Sequence, residues 1–419
     1  MKMSGFVVRK VIVGVSGGVD SAMAALILKK RGYDVHGLFM RNWDVANETG
    51  KCLADADFED AKMICEHLEI PLHQVNFVKE YWNGVFSELI KGYESGTTPN
   101  PDIMCNKVIK FDAFFKHAFE RLGADAIATG HYARTSCGYN LETVDPVKGV
   151  KLLTAADNTK DQTFFLSQIS QSALQRSLFP IGDLTKEFVK KIACNAGLEK
   201  IAKKKESMGI CFIGTRNFQK FIEEYIEPKK GRFLHVETGK VMGYHKGDVP
   251  SEKLLRIQLR MCLQQPMLLE RGTHYWTVGQ RAQIAGQDRP YFVSELHPRT
   301  QDVIVAPGTD HPSLYTQTLF TEPPHWIRGI PPELVSDHMF TAGFRFQSVH
   351  PIIRCTATQS GSNCLIVSIE LPLRAITAGQ YAVFYRGDEC LGSARIIRPG
   401  PSLFTLNYGS RVDIPKEFR

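Results

Sequence analysis

Short apolar runs alternate with amphipathic stretches over the first half of the chain. The amphipathic stretches carry apolar residues every three or four positions, as in "SAMAALILKKRG" at 21–32, which is the helical period. Strands that alternate with helices predict a doubly wound parallel sheet, and such sheets bind ligands at the carboxyl ends of their strands. The runs typical of buried parallel strands are "KVIVGV" at 10–15, "DVHGLFM" at 34–40, "LHQVNF" at 72–77 and "DAIATGHYA" at 125–133.

The pattern changes after about residue 226. Runs such as "DVIVAPG" at 302–308 and "CLIVSIEL" at 364–371 alternate apolar and polar residues and are separated by Gly, Pro and Asp. This period of two predicts antiparallel strands, and many short strands in succession indicate a barrel or a sandwich. The predicted domains are an α/β catalytic domain at 1–215, a central β-rich domain at 216–312 and a C-terminal β-rich domain at 313–419.

Composition is that of an ordinary globular protein, with 43% hydrophobic and 23% charged residues among 419. A single core rarely reaches this length, which favours two or three domains. The net charge of +7 is compatible with a polyanionic partner. No apolar run approaches the ~20 residues that span a bilayer, so no membrane partner is expected. The basic start "MKMSGFVVRK" is short for a targeting segment.

The segment "VGVSGGVDSAMAAL" at 13–26 joins a predicted strand to a predicted helix through a glycine-rich turn. Backbone amides at a helix start favour phosphate, and Gly17 and Gly18 allow its close approach. Asp20 could hold a magnesium ion or order the turn. The turn lacks the lysine of a Walker A loop. A plain capped turn is the alternative, but the full "SGGVDS" in this context predicts nucleotide phosphate binding.

Two of the ten cysteines have unusual surroundings. Cys105 lies in "TPNPDIMCNK" at 98–107, where a helix start and the cations Lys107 and Lys110 could lower a thiol pKa. Cys211 follows the basic run in "KKKESMGICFIG" at 203–214. The alternatives are structural: Asp102 caps a helix whose Cys105 enters the core, and Cys211 is a buried strand residue.

Together these motifs resemble the tRNA-specific 2-thiouridylase family of the PP-loop ATP pyrophosphatases, whose signature is "SGGVDS". The resemblance covers nearly the whole chain, and the motif sequences are most similar to those of the animal mitochondrial members. It implies an N-terminal PP-loop domain, a small β-rich central domain and a C-terminal antiparallel β-barrel that binds tRNA. Further segments that carry it are "GLFMRNWD", "ADAIATGHYAR", "KDQTFFLSQ", "TVGQR" and "FYRGDECLG".

The resemblance also implies roles for individual residues. ATP, accompanied by Mg²⁺, would be held by Gly14, Val15, Ser16, Gly17, Gly18, Val19, Asp20, Ser21, Met40 and Gly130. A wobble uridine, flipped out of the anticodon because stacked bases hide carbon 2, would meet Asn100, Pro101 and Asp102. Other tRNA contacts would come from His131, Lys160, Asp161, Gln162, Arg345, Phe346 and Gln380.

The implied reaction adenylates the carbon-2 oxygen of the uridine and replaces it with sulfur. Cys211 would carry the persulfide, Cys105 would be the partner nucleophile, and Asp102 would act as general acid/base or position the base. The resemblance implies a sulfur relay from a cysteine desulfurase, a monomer, and a mitochondrial or otherwise cytoplasmic location. Alternatives are an iron–sulfur-dependent tRNA thiolase, an amide-forming synthetase of the same superfamily, or a non-catalytic ATP- and RNA-binding module.

One segment departs from the family pattern. The family runs from G-x-H-x-G almost directly to Y-T-x-G-Q-R, whereas here "GYHKG" and "YWTVGQR" are separated by an insert at 248–274. Its apolar spacing could form an amphipathic helix that contacts tRNA. Retained non-coding sequence is the alternative, and it is the favoured one.

Overall fold

The computed structural model describes residues 8–44, 53–145, 147–205, 218–226, 229–245 and 273–409. Its strands up to residue 205 are β1 (Lys10–Gly14), β2 (Asp34–Arg41), β3 (Leu72–Asn76), β4 (Ala126–Ala128), β5 (Arg134–Thr135), β6 (Leu152–Leu153) and β7 (Ser177–Leu178). Five of them form a parallel sheet in the order β3–β2–β1–β4–β7. The order reverses between β1 and β4, which is where doubly wound sheets open a ligand crevice.

Helices cover both faces of this sheet, which confirms the predicted doubly wound arrangement. Residues 11–13 of β1 are therefore fully buried. Two π-helical turns, Trp82–Phe86 and Asn106–Ala113, join α3 to α4 and α5 to α6, so residues 101–122 run as one helix. The helices are α1 (Val19–Lys30), α2 (Leu53–His67), α3 (Val78–Tyr81), α4 (Ser87–Glu94), α5 (Pro101–Cys105), α6 (Phe114–Leu122), α7 (Thr163–Leu166), α8 (Gln171–Leu174), α9 (Lys186–Asn195), α10 (Glu199–Lys203) and α11 (Phe218–Glu223).

A smaller mixed sheet follows, in the order β10–β11–β12–β8–β9, with β8 and β12 parallel and the other neighbours antiparallel. It is built around a core that includes Trp276 and Val293. Of the predicted insert, residues up to 272 lie outside the described residues, as does Cys211. The strands are β8 (Gly231–His235), β9 (Val241–His245), β10 (Arg281–Ala282), β11 (Tyr291–His297) and β12 (Asp302–Pro307).

The C-terminal strands close into a barrel, because β13 pairs with β17 on one side and with β19 on the other. The six strands of the barrel follow the order β13–β17–β16–β15–β18–β19. Phe340, Phe344 and Phe384 pack inside it. The elements are β13 (Tyr315–Thr321), β14 (His325–Trp326), α12 (Pro332–Ser336), β15 (Met339–Arg345), β16 (Ile353–Gln359), β17 (Leu365–Arg374), β18 (Tyr381–Arg386) and β19 (Glu389–Pro399).

The barrel is joined to the first part of the chain by strand addition. β6 pairs with β19, with Leu152 opposite Cys390, and β5 extends the same sheet. Close by, the Gln168 side-chain amide donates to the Ser393 carbonyl at 3.0 Å and to its hydroxyl at 2.9 Å. Backbone pairing of this kind fixes the register between two units. The barrel therefore has a defined position on the parallel-sheet domain.

A buried ion pair lies at the same junction. Asp161, which precedes α7, pairs with Arg345 at the end of β15, and both side chains are less than one-tenth exposed. The Arg345 Nε also donates to the Tyr385 hydroxyl at 3.0 Å, and the Thr163 hydroxyl donates to Asp161 Oδ2 at 2.8 Å. Burial raises the pKa of Tyr385 well above its ordinary value, so its hydroxyl remains a neutral partner of the guanidinium.

Among the described residues, none of the helices has both the length and the apolar character that crossing a membrane requires.

Replacing Arg345 by Met is expected to lower the free energy of unfolding by about 3–5 kcal/mol, because Asp161 would stay buried without its cation. Urea unfolding followed by circular dichroism measures this change. Arg354→Met, at an exposed position of β16, is the matched control and should change stability by no more than about 0.5 kcal/mol. Equal stabilities of the two variants would show that the ion pair does not hold the junction.

Candidate functional site

A glycine-rich turn joins β1 to α1 at the carboxyl edge of the parallel sheet. Ser21 fastens it: its hydroxyl donates to the Gly18 carbonyl at 3.0 Å and accepts from the Ser16 amide at 3.2 Å. Gly17 has a φ of +74°, and a Cβ there would lie 2.5 Å from the Asp57 carbonyl oxygen, so glycine is required. Because Gly18 has no side chain, the start of α1 stays open to an anion.

Two residues predicted to bind ATP from elsewhere in the sequence border this turn. A Cβ on Gly130, just after β4, would lie 2.6 Å from the Ser21 amide nitrogen. A Cβ on Gly14 would lie 3.2 Å from the Met40 methyl carbon. The crevice between β1 and β4 therefore brings together the glycine turn, Met40 and Gly130.

Asp20 is held by two side chains that the sequence did not single out. Lys186, at the start of α9, places its Nζ 2.8 Å from both carboxylate oxygens of Asp20. The Tyr132 hydroxyl donates to Asp20 Oδ1 at 3.0 Å. Of the two predicted roles for Asp20, the geometry favours ordering the turn over direct magnesium binding, because an ammonium already occupies both oxygens.

The helix that carries Asp102 and Cys105 begins beside the barrel. Asn100 caps α5 by accepting from the Ile103 amide at 3.1 Å, while its own side-chain amide donates to the Gln380 side chain at 3.2 Å. Gln380 in turn donates to the Thr98 carbonyl at 2.9 Å. Two of the residues predicted to meet tRNA are thus in contact across 280 positions of sequence.

The charge of Lys110 acts on both His131 and Asp102. The Lys110 Nζ lies 3.4 Å from His131 Nε2, and the His131 Nδ1 lies 2.8 Å from the Thr129 hydroxyl. An ammonium can only donate, so Nε2 accepts and Nδ1 carries the proton. Burial, with the charge of Lys110, holds the pKa of His131 well below its ordinary value. Burial raises the pKa of the Asp102 carboxyl, and Lys110 opposes that rise.

Cys105 ends α5, within the first turns of the continuous 101–122 helix. It is 6% exposed and belongs to the same core cluster as Ile109 and Phe114. A Cβ on Gly14 would lie 3.5 Å from the Phe114 ring. The helix of Cys105 therefore packs directly against the end of β1.

Cys211 lies outside the described residues, but the chain on either side of it is described. Before it, the Lys204 Nζ lies 2.8 Å from Asp57 Oδ1. After it, Phe221 of α11 packs edge-on against Trp43, with ring centroids 6.1 Å apart. Asp57 rests on the glycine turn and Trp43 follows the end of β2. Both flanks of the Cys211 segment are therefore attached at the edge of the sheet where the turn lies.

Comparison with known proteins agrees with this organisation. Three family models match in succession: the tRNA methyl transferase HUP domain at 9–215, its PRC-barrel domain at 270–307 and the aminomethyltransferase β-barrel domain at 316–396. The mitochondrial tRNA-specific 2-thiouridylase 1 of Gallus gallus is 49% identical over 425 residues, covering 96% of this chain and 94% of that protein. The chain belongs to the tRNA-specific 2-thiouridylase family.

Other members of the tRNA-specific 2-thiouridylase family are similar over almost their whole length. The Homo sapiens protein of the same name is 49% identical over 419 residues, with 96% of this chain and 94% of that protein covered. The Drosophila melanogaster protein is 47% identical over 395 residues, with 94% and 95% covered. These matches confirm the family resemblance that the sequence motifs indicate.

In this 2-thiouridylase family member, several residues predicted to contact tRNA have partners inside the protein. Phe346 is fully buried in the barrel, and Asp161 and Arg345 form the junction ion pair. Gln162 pairs with Tyr132, accepting from its amide at 2.9 Å. Their contact with tRNA stays a prediction, as does that of His131 and of Lys160, which is half-buried. For Phe346 only the backbone could take part.

Lys186→Met is expected to weaken ATP binding about tenfold, a change of about 1.4 kcal/mol, because Asp20 would lose the cation that fixes the glycine turn. Isothermal titration calorimetry measures the affinity. Lys191→Met, on the exposed face of the same helix α9, is the control and should bind ATP as the unaltered protein does. A folded Lys186→Met protein with unaltered affinity would contradict a role for Asp20 in shaping the turn.

Proposed function

We propose that this chain is an ATP-dependent tRNA 2-thiouridylase that acts on the wobble uridine in mitochondria. The relatives are named as mitochondrial tRNA-specific 2-thiouridylases and match over nearly their whole length. That supports tRNA as the substrate and 2-thiouridine as the product. ATP use, the adenylated intermediate and the persulfide are the finer parts of the proposal, and they rest on the site geometry together with the family pattern.

One observation carries the proposal: residues 129–131 touch both halves of the site. Gly130 lies against the start of α1, beside the glycine turn. The next residue, His131, lies against Lys110 of the Cys105 helix. A nucleotide phosphate at the turn and a base near Asp102 would therefore be neighbours, as the transfer of AMP to a base requires.

In the first step, the carbon-2 oxygen of the uridine attacks the α-phosphorus of ATP, and the bond to the pyrophosphate oxygen breaks. The oxygen then leaves as part of AMP, which is a far better leaving group than oxide. Asn100 and Asp102 would hold the flipped base, and Gln380 would keep Asn100 in place through the contact described above. The glycine turn would bind the phosphates through its amides.

In the second step, the terminal sulfur of a Cys211 persulfide attacks carbon 2 and AMP departs. The Cys105 thiolate then attacks the Cys211 sulfur of the resulting adduct, which forms a Cys105–Cys211 disulfide and releases 2-thiouridine. A dithiol reductant must restore both thiols, and a cysteine desulfurase relay would reload the persulfide.

Within the described ranges, the protein's own carboxylates leave magnesium to bind through the nucleotide. The carboxylates nearest the turn are already engaged, Asp20 by Lys186 and both Asp57 and Asp60 by Lys204. The ion would therefore be bound by phosphate oxygens, where it neutralises their charge.

Incubating the protein with tRNA, ATP, magnesium and a persulfide donor should convert the wobble uridine to 2-thiouridine. Mass spectrometry of the digested tRNA measures the product. Cys105→Ser and Cys211→Ser should each abolish thiolation while AMP transfer to tRNA survives, because neither thiol takes part in adenylation. Cys364→Ser, in the barrel hairpin that joins β16 to β17, should thiolate normally.

Two outcomes of this assay would contradict the proposal. Thiolation by both serine variants at the unaltered rate would remove the two-thiol mechanism. A brown, iron-containing preparation whose activity requires the cluster would favour the iron–sulfur-dependent thiolase.

The rate of thiolation should fall as the pH is lowered through the raised pKa of Asp102, if its ionised carboxylate is the base. The inflection should lie above the ordinary carboxyl range, because burial raises this pKa. Asp102→Asn should remove that limb of the pH profile of kcat/KM. Because the pKa of Asp102 is raised in the folded protein, ionising this carboxyl destabilises the fold, and stability is lost as the pH rises through the raised pKa. Asp102→Asn cannot ionise, so the variant should fold normally. A lowered rate with an unaltered profile would leave Asp102 a positioning residue only.

A further inference from the structure

The N-terminal half of α2 rests on the glycine turn. A Cβ on Gly17 would lie 2.5 Å from the Asp57 carbonyl oxygen and 3.1 Å from the Asp60 Cβ. Any movement of the turn would therefore displace these two aspartates. Their side chains point to another element, α10.

The Lys204 ammonium forms ion pairs with both aspartates. Its Nζ lies 2.8 Å from Asp57 Oδ1 and 2.7 Å from Asp60 Oδ2, and Lys200 adds a second cation 3.7 Å from Asp60. Partial burial opposes the charge of Lys204, but the two carboxylates raise its pKa above its ordinary value. We define Lys204, Asp57 and Asp60 as the lysine clamp.

The lysine clamp stands where the chain leaves α10. Lys204 directly follows the helix and has an extended backbone, with φ −59° and ψ 136°. Ile201 and Ala202 hold α10 in the core, so folding does not depend on the clamp. A single ion pair this exposed would contribute little, because the Lys204 side chain is 35% exposed and Asp57 48%. Asp60 is only 17% exposed, and two carboxylates share one ammonium, so the three groups form a network that can fix where the chain leaves α10.

We propose that Lys204 is a positioning residue for sulfur transfer. The lysine clamp holds Lys204, from which the chain continues to Cys211, against the part of α2 that rests on the glycine turn. Cys211 is seven residues further along, which bounds its reach from Lys204 to roughly 24 Å. Because the clamp fixes the position of Lys204, it limits the volume that Cys211 can occupy. This raises the effective concentration of the Cys211 sulfur at the adenylated base. This inference rests on the proposed function and deepens it.

An ion pair without function is the alternative, and Lys203 provides the comparison. Lys203 is exposed, and its recorded ion pair within the described part of the chain is with Glu199, one helical turn away at 3.4 Å. Losing its charge changes the same basic run "KKK" but leaves the clamp intact.

The test compares Lys204→Ala, Lys204→Arg and Lys203→Ala in single-turnover reactions with ATP, tRNA and a persulfide donor. We expect Lys204→Ala to slow thiolation about tenfold, with the rate of AMP transfer to tRNA and the KM for ATP within about twofold of the unaltered protein. Lys204→Arg should recover most of the rate, since it can contact both carboxylates. Lys203→Ala should match the unaltered protein. Thermal melting confirms that each variant is folded.

A second measurement does not depend on tRNA thiolation. A short bis-maleimide should link Cys105 to Cys211, and mass spectrometry of the linked peptides gives the rate. We expect about tenfold slower linking in Lys204→Ala than in Lys203→Ala. Equal linking and equal thiolation in these two variants would overturn the clamp. An equal loss of adenylation and thiolation in Lys204→Ala would also overturn it, because the lysine would then serve the nucleotide.

The linking assay separates the two proposals. If the unaltered protein linked these cysteines but thiolated no tRNA, the proposed function would fail while the clamp could still be judged by the Lys204→Ala linking rate.

Discussion

The buried ion pair between Asp161 and Arg345 is the interaction on which the arrangement of the molecule depends. Neither charge could remain in the junction without the other, because an unpaired buried charge costs several kcal/mol. The pair requires the barrel to dock on the parallel-sheet domain in one orientation, and the β6–β19 pairing fixes the same orientation through the backbone. That orientation places Gln380 against Asn100. A residue of the barrel thereby becomes part of the predicted base site.

The glycine turn is also shaped by an ion pair, but one that acts on a smaller part of the molecule. Lys186 and Tyr132 converge on Asp20 from different elements, and their hold sets the backbone of the turn before a ligand arrives. A preorganised turn binds phosphate without the cost of ordering flexible backbone. The aspartate of "SGGVDS" thus has a structural explanation that requires no metal. On the other side of the turn, Asp57 and Asp60 extend the same contact to Lys204 and so to the chain that leads to Cys211.

Much of the fold and part of the site could be predicted from the sequence. The strand–helix alternation predicted the parallel sheet, and the glycines at 17 and 18 predicted the turn, because both are local consequences of side-chain period and backbone freedom. The pattern of the C-terminal half left a barrel and a sandwich open. The pairing of β13 with β19 decides for the barrel, and no local pattern encodes which first and last strands meet.

What the sequence by itself determined is local: a glycine-rich turn between a strand and a helix, a capped helix bearing Asp102 and Cys105, and the motifs of the tRNA-specific 2-thiouridylase family. Only the tertiary structure decided which charged and polar side chains meet. Lys186 with Asp20, Lys204 with Asp57, Arg345 with Asp161 and Lys110 with His131 join residues 21 to 184 positions apart. A lysine in a sequence has the same charge wherever it ends up. Its partner is set by how sheets and helices pack, and that long-range geometry leaves no local pattern.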